Sequence, residues 1–377
     1  MTLLDRQRTQ LRDLCAAGRL RQLNARHGID FASNDYLGLA GSLALRRAVS
    51  EALDRGVPVG SGGSRLLRGN HPEHEALEGE AAVLFGSQAA LYFSSGYTAN
   101  AALLATLPQR GDLVVHDGLV HASAHEGMRL GRAETVSADH NDAGAFEAAI
   151  VGWRRSGGTG RVWIAVESLY SMDGDRAPLA DLAAIADRHD AMLLVDEAHA
   201  TGVFGPSGRG LAAGIEGREN VITLRTCGKA LGCEGALVCG DRTVIDFLIN
   251  RGRGFIFSTA PSPLMAAACR AALRLMQDDV LRLRLQRMIA GTGALFAGRL
   301  GVPATGSQIV PVILGTDARA MTVAGCLQAQ GFDVRGIRPP TVPEGTARLR
   351  VSLTLNVEMA QVEALLDALE PLLDLTE

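Results

Sequence analysis

The sequence predicts an α/β fold built on a mostly parallel sheet of about seven strands, and three observations predict it. Between Ala89 and Gly240, short apolar runs rich in Val, Ile and Leu alternate with helical segments. Several of these runs are continuously apolar, as in strands covered on both faces, rather than alternating. A long helical stretch, Pro263 to Leu300, then breaks the rhythm and leads into a smaller α+β region.

Taken in order, Met1 to about Arg26 reads as an amphipathic, Arg-rich helix. The expected strands of the sheet are Ala89 to Phe93, Leu113 to His116, Glu134 to Ser137, Arg161 to Glu167, Ala191 to Asp196, Val221 to Thr226 and Gly235 to Cys239. Helical segments fall between them, such as Leu179 to Arg188, where Pro178 suits a first turn. After Leu300 come a Pro-marked strand (Gln308 to Leu314), a helix, a strand (Leu349 to Leu353) and a final helix. A length of 377 residues fits about two domains. We place an N-terminal helical segment at 1–40, a large α/β domain at 41–275 and a small α+β domain at 276–377.

Composition narrows the function. Hydrophobic content of 47% with 21% charge is that of a soluble globular enzyme. A net charge of -4 offers no general attraction to nucleic acid or anionic membrane, and 4% aromatics provide few stacking surfaces for single strands. No apolar run approaches the ~20 residues of a membrane helix. The N-terminus turns charged at once, without a signal-peptide core, so a cytoplasmic protein is expected. The six cysteines include no Cys-x-x-Cys pair and read as free buried thiols. Cys227 alone lies close to a candidate site residue.

That residue is Lys229, the only lysine; the other 36 of the 37 basic residues are arginine. Arginine stays protonated, whereas a lysine amine can lose its proton and condense with a carbonyl. Lys229 sits in Thr226-Cys227-Gly228-Lys229, a Gly-containing turn leaving an apolar strand. Ligands of an open parallel sheet bind beyond the carboxyl ends of its strands. Other polar residues fall there too. Ser94-Ser95-Gly96-Tyr97 follows a strand and opens a helix, which suits either a phosphate or a plain helix cap. Asp196-Glu197-Ala198-His199 ends an apolar strand. A carboxylate there needs a positive partner, from a buried salt bridge or a protonated pyridine nitrogen. His199 could donate to a phenolate oxygen. His121 follows another strand and suits a neutral ring stacked on a flat cofactor. His125 lies one helical turn on, but no third metal ligand is placed, so no metal is expected. Gly60-Ser61-Gly62-Gly63-Ser64-Arg65 is glycine-rich but lacks the Walker pattern. Arg338, in the rigid Arg338-Pro339-Pro340-Thr341-Val342-Pro343, suits a carboxylate or a surface turn. The order of these elements is what a pyridoxal 5'-phosphate (PLP) site needs: a Schiff-base lysine, a pyridinium partner and a phosphate cradle.

From about Phe31 to the C-terminus the chain resembles the fold-type I, PLP-dependent α-oxoamine synthases. The resemblance rests on Ser33-Asn34-Asp35-Tyr36-Leu37-Gly38-Leu39, on Gly60–Arg65, on Ser171-Met172-Asp173-Gly174-Asp175, on Val195-Asp196-Glu197-Ala198-His199-Ala200-Thr201-Gly202 and on Thr226–Lys229. The form of Ile337–Arg350 resembles the branch that uses L-alanine and a pimeloyl thioester in biotin biosynthesis. Sister enzymes using glycine or serine usually depart from the Arg-Pro-Pro-Thr form.

The resemblance implies a decarboxylative condensation with PLP as cofactor. Lys229 would bond the cofactor, Asp196 would pair with its ring nitrogen, His199 would bond its ring oxygen, and His121 would stack on the ring. Gly96, Tyr97, Ser171 and Thr226 would lie at the cofactor. Arg338 and Asn34 would hold the amino acid carboxylate, Thr341 would touch substrate, and Arg21 would be an N-terminal substrate arginine. Ser258 and Thr259 would reach the partner's phosphate in a homodimer with shared active sites. The acyl donor would be pimeloyl-CoA or pimeloyl-acyl carrier protein. Glu234 departs from the small residues usual after the lysine, and a charge there needs a partner or water. The alternatives are a sister condensation with another amino acid or thioester, a PLP aminotransferase, or a non-catalytic cofactor-binding module.

Overall fold

The computed structural model describes residues 2–23 and 25–373. Met1 and Asn24 of the expected N-terminal helix, and 374–377 of the expected C-terminal domain, lie outside the described residues. The chain forms two compact units. The larger holds Asn34–Ser171 and Asp175–Gln286; the smaller holds Met1–Ser33, Met172–Gly174 and Arg287–Glu377.

The larger unit is organised by a seven-stranded sheet. Its spatial order is Ala89–Phe93, Ala236–Gly240, Val221–Thr226, Met192–Asp196, Val162–Glu167, Leu113–Asp117 and Glu134–Ala138. Six strands run one way and Ala236–Gly240 alone runs against its two neighbours. The continuous apolar runs are explained by two cores, one on each face. Side chains alternate across a strand. Val114, Trp163, Leu194, Ile222 and Val238 therefore join Leu103, Ile245 and Phe255 on one face. Leu113, Val115, Ile164, Val166, Leu193 and Val195 join Phe146, Ile150, Trp153 and Leu182 on the other. The end strand Glu134–Ala138 is mostly solvent-facing, and its polar sequence suits an unpaired edge.

Helices carry the strand ends into position. Gly96–Thr106 and Ala122–Leu130 pack closely, and Gly127 is the reason. A side chain there would stand 2.8 Å from both the Ala101 carbonyl oxygen and Leu104. This close approach sets His121, which caps Ala122–Leu130, beside Tyr97 in the first turn of Gly96–Thr106.

The smaller unit has a three-stranded antiparallel sheet in the order Arg335–Ile337, Ala347–Ser352, Ile309–Gly315. Pro311 is tolerated because Ile309–Gly315 is an edge strand. Asp317–Ala329 packs against this sheet and Met359–Leu373 against that helix.

Two expected helices differ from the sequence reading. The N-terminal helix spans only Asp5–Ala16 and buries none of its residues. Gly18, at φ +65°, stops it, because that conformation suits a residue without Cβ. The stretch Pro263 to Leu300 is two helices, Pro263–Met276 and Asp279–Leu300, broken at Gln277 and Asp278. Among the described residues no helix is long and apolar enough to cross a membrane.

Candidate active site

Beyond the carboxyl ends of the central strands lies a cavity of about 190 Å³. Its walls include Gly96, Tyr97, His121, Asp196, His199, Thr226 and Lys229, together with Ser123, Glu167, Ala198 and Leu224. Seven residues singled out in the sequence thus line one space, all within the larger unit.

Lys229 is held by the turn that leaves Val221–Thr226. Cys227 N–H donates to the Gly235 carbonyl (2.8 Å) and Gly232 N–H to the Lys229 carbonyl (2.9 Å). Gly235 has φ +95°, and a side chain there would strike the Tyr92 ring, so glycine is required for the chain to return at this point. The Lys229 amine reaches into the cavity, with Nζ 2.8 Å from His199 Nε2. The other ring nitrogen of His199 lies 2.6 Å from the Tyr36 hydroxyl, and that hydroxyl donates to Asn34 Oδ1 (2.9 Å). Asn34 is therefore linked to Lys229 through two side chains and does not itself line the cavity.

Asp196 ends its strand buried among apolar neighbours. Its oxygens accept from Asn100 Nδ2 and from Ala198 N–H, each at 2.9 Å. Burial raises its pKa, while the Lys229 charge and the Ala198 N–H oppose that rise. His121 accepts the Ser123 N–H at Nδ1 (3.2 Å), which leaves that nitrogen unprotonated and the ring neutral in this arrangement. Burial lowers its pKa in the same sense. Gly96 lies against Thr226. Ser95 caps Gly96–Thr106 by accepting from Thr98 N–H, and helix geometry leaves the N–H groups of Gly96 and Tyr97 for an anion.

The residues present fit PLP. There is one amine, a helix N-terminus for a phosphate, and a neutral imidazole on one wall. Most telling is Asp196, a buried carboxylate whose hydrogen bonds come from neutral donors; a protonated pyridine nitrogen would supply the missing charge.

The other expected site residues lie elsewhere. Ser171 does not line the cavity, but its backbone hydrogen-bonds Glu167, which does. Thr259 is exposed and lines a separate small recess with Arg65 and Ser94. In the smaller unit, Arg21 approaches Thr341 (Nη2 to Oγ1, 3.5 Å) and Arg338 donates to the Leu20 carbonyl (3.3 Å), so these three gather in one place. The Gly60–Arg65 loop backs the Thr259 strip: Ala260 N–H donates to the Gly63 carbonyl (2.9 Å), and Arg65 pairs with Glu78 (2.8 Å). Glu234 needs no partner because it is exposed; its carbonyl, not its carboxylate, serves the fold by accepting from Tyr92.

Three contributors escaped the sequence reading. Asn100 is one helical turn beyond Gly96, a spacing that could have found it. Tyr36 lies inside Ser33–Leu39 but contacts a residue 163 positions away. Glu167 ends its strand in register with Asp196, and only the strand pairing reveals this.

Comparisons with known proteins agree with the geometry. The model of the family described as "Aminotransferase class I and II" matches residues 26–369. The 8-amino-7-oxononanoate synthase of Anaeromyxobacter dehalogenans is 44% identical over 95% of this chain and 89% of its own length. That of Chromobacterium violaceum is 43% identical over 92% of this chain and 89% of its own. Among solved structures, the serine palmitoyltransferase of Sphingomonas wittichii aligns at TM-score 0.89 and 29% identity, covering 99% of this chain and 98% of that one. A serine palmitoyltransferase solved with PLP aligns at the same TM-score and 28% identity, covering 99% and 98%. The 8-amino-7-oxononanoate synthase of Francisella tularensis aligns at 0.75 and 28% identity, covering 91% and 97%.

Fold and site together define a fold-type I, PLP-dependent enzyme. The chain belongs to the aminotransferase class I and II family and, within it, to the 8-amino-7-oxononanoate synthases, which are PLP-dependent acyltransferases.

Proposed function

We propose that this enzyme condenses L-alanine with a pimeloyl thioester, on CoA or acyl carrier protein, giving 8-amino-7-oxononanoate, carbon dioxide and free thiol in biotin biosynthesis. The observation that carries the reading is the meeting of the sole lysine with buried Asp196 in one cavity, in a chain 44% identical to a synthase of this name.

PLP, when bound, supplies the electron sink that makes the alanine Cα proton removable. The chain's own residues do the rest. Asp196 would balance positive charge at the ring nitrogen, and Asn100 and the Ala198 N–H fix the orientation of its carboxylate. Lys229 Nζ, which reaches into the cavity beside His199, would hold the cofactor at rest and would serve as the base for the alanine Cα proton. His199, braced by Tyr36, orients Lys229 and would hydrogen-bond the ring oxygen. His121, neutral because Nδ1 accepts the Ser123 N–H, would cover the ring. Gly96, Tyr97 and Thr226 would hold the phosphate, and Ser171 would act from behind the wall through its backbone bond to Glu167, which is in register with Asp196. By resemblance, Asn34 and Arg338 would hold the alanine carboxylate, and Arg21 and Thr341 would meet the acyl substrate. In the overall reaction a bond forms between alanine Cα and the thioester carbonyl carbon, and the thiol leaves. The carboxylate then departs as carbon dioxide and a proton returns to Cα. A homodimer, with Thr259 reaching the partner's phosphate, accounts for that residue's exposure, and for Phe257 at 72%.

The test is to give the holoenzyme L-alanine and pimeloyl-CoA and measure carbon dioxide and product mass, with glycine and serine as competitors. Carbon dioxide with alanine alone among the amino acids supports the reading. The structural likeness to serine palmitoyltransferase favours a sister condensation as the second reading, and preferential use of serine would support it. An aminotransferase would convert alanine to pyruvate and release no carbon dioxide.

A further inference from the structure

His140 lies outside the cavity and has no part in the chemistry above, yet both its ring nitrogens are engaged. Nδ1 is 2.8 Å from Asp117 Oδ1, and Nε2 is 2.7 Å from Asp175 Oδ2. A ring with a carboxylate on each nitrogen is an imidazolium, because both nitrogens must donate. In keeping with this, its pKa is raised to about 10, with the two aspartates overcoming burial. Asp117, fully buried at the end of Leu113–Asp117, is fixed by the N–H groups of Leu119 and Asn141, each at 2.8 Å.

The other aspartate belongs to a hairpin that follows Val162–Glu167. Leu169 bridges Arg176, Tyr170 N–H donates to the Asp175 carbonyl (2.9 Å), and Ala177 N–H donates to the Ser168 carbonyl (3.2 Å). His140 touches both of its arms. It pairs with Asp175 on one, and on the other the Tyr170 ring meets it edge-on with centroids 4.5 Å apart. Asn141 adds a 2.6 Å bond to Asp175. The charged and titratable groups facing His140 are thus Asp117, Asp175 and the buried Tyr170, with Glu167 next beyond them. Between the clamped arms comes Ser171, whose backbone bonds Glu167 in the cavity wall.

We propose that His140 is a positioning residue that, as a cation shared by Asp117 and Asp175, locks the Ser168–Ala177 hairpin and so fixes Ser171 and Glu167 at the cofactor cavity. This rests on that cavity being the PLP site. The two tests stay separable, because this one reads cofactor affinity and amide exchange, whereas the condensation is read from product.

The experiment compares the full-length enzyme with H140Q and D175N, freed of PLP and then titrated with it, alongside amide hydrogen exchange. Losing one charge-assisted bond predicts about tenfold faster exchange at Tyr170 and Ala177 and about tenfold weaker PLP binding, with Leu113–Asp117 still protected. D175N keeps the buried Asp117 partner, so it reports even where H140Q folds poorly. The wild-type advantage in PLP affinity over H140Q should shrink as the pH rises towards 10, where His140 loses its proton. Unchanged PLP affinity in a folded D175N, or an advantage that does not vary with pH, overturns the proposal.

Discussion

Glu167 and Asp196 stand in register on adjacent parallel strands, both buried and both in the wall of the Lys229 cavity. Two charged carboxylates cannot share such a place cheaply. The structure divides their roles. Asp196 receives two hydrogen bonds. Glu167 Oε1 has no hydrogen-bond partner among the described residues, and burial together with the Asp196 charge pushes its pKa well up. Burial raises the pKa of both, and of Glu167 well above its ordinary value, so Glu167 is the member that takes a proton more readily and Asp196 the one better able to carry charge.

Glu167→Gln should then be mild and Asp196→Asn severe. The glutamine is neutral and nearly the same shape, so PLP affinity should change by less than about threefold. The asparagine removes the charge opposite the ring nitrogen, and turnover should fall about 100-fold or more. Measuring kcat and PLP affinity in both variants decides this; equal losses would place the charge on the wrong residue.

Tyr36→Phe removes the hydroxyl 2.6 Å from His199 without opening a cavity. One buried hydrogen bond is worth about 1 kcal/mol, so unfolding should shift little. Because His199 bears directly on Lys229, kcat should fall about tenfold with KM less affected. A loss seen only in stability would make Tyr36 a packing residue.

Arg225 is fully buried. It donates to Thr201 Oγ1 (3.1 Å) and the Arg209 carbonyl (2.5 Å), pairs with Glu216, and lies over the Phe85 ring (3.9 Å). It also offsets buried Glu197. Arg225→Leu removes a charge partner from both carboxylates, leaving Glu216 with Arg209 and Glu197 with the N–H groups of Leu211 and Ala212, and should cost about 3 kcal/mol in urea unfolding. A neutral effect would show that they are protonated in the fold.

His140 predicts an alkaline loss of stability. Its folded pKa, about 10, exceeds the ordinary value of 6.5. The folded state therefore binds its proton more tightly than the unfolded chain does. The contribution is complete below pH 6.5 and fades as the pH rises through about 10. Melting temperature should fall across that window in the wild type, and H140Q should lack this part of the fall.

Much of this was legible in sequence because the two-faced sheet leaves a plain mark. Val162–Glu167 and Met192–Asp196 are apolar at every interior position, since alternate residues enter different cores. Lys229, Asp196, His199 and His121 were legible for a related reason. Each ends or follows a strand, and the carboxyl ends of strands are where polar residues converge. The reversed direction of Ala236–Gly240 was hidden, because a buried strand reads the same in either sense. The N-terminal helix was read too long because its arginine-rich composition continues past Gly18 while its backbone does not. Tyr36 and the His140 clamp were invisible because the pairs Tyr36–His199 and His140–Asp175 are 163 and 35 residues apart, whereas Asn100, 96 residues from Asp196, is marked in sequence only by its one-turn spacing from Gly96.

On the reading above, Lys229, the only lysine, holds the cofactor. Reducing the PLP-loaded protein with borohydride and mapping its peptides by mass spectrometry tests this most directly. A phosphopyridoxyl group is expected on the peptide containing Lys229, with turnover lost as it appears. An enzyme that turns over L-alanine and pimeloyl-CoA while Lys229 stays unmodified, or that works after Lys229→Ala, would contradict it.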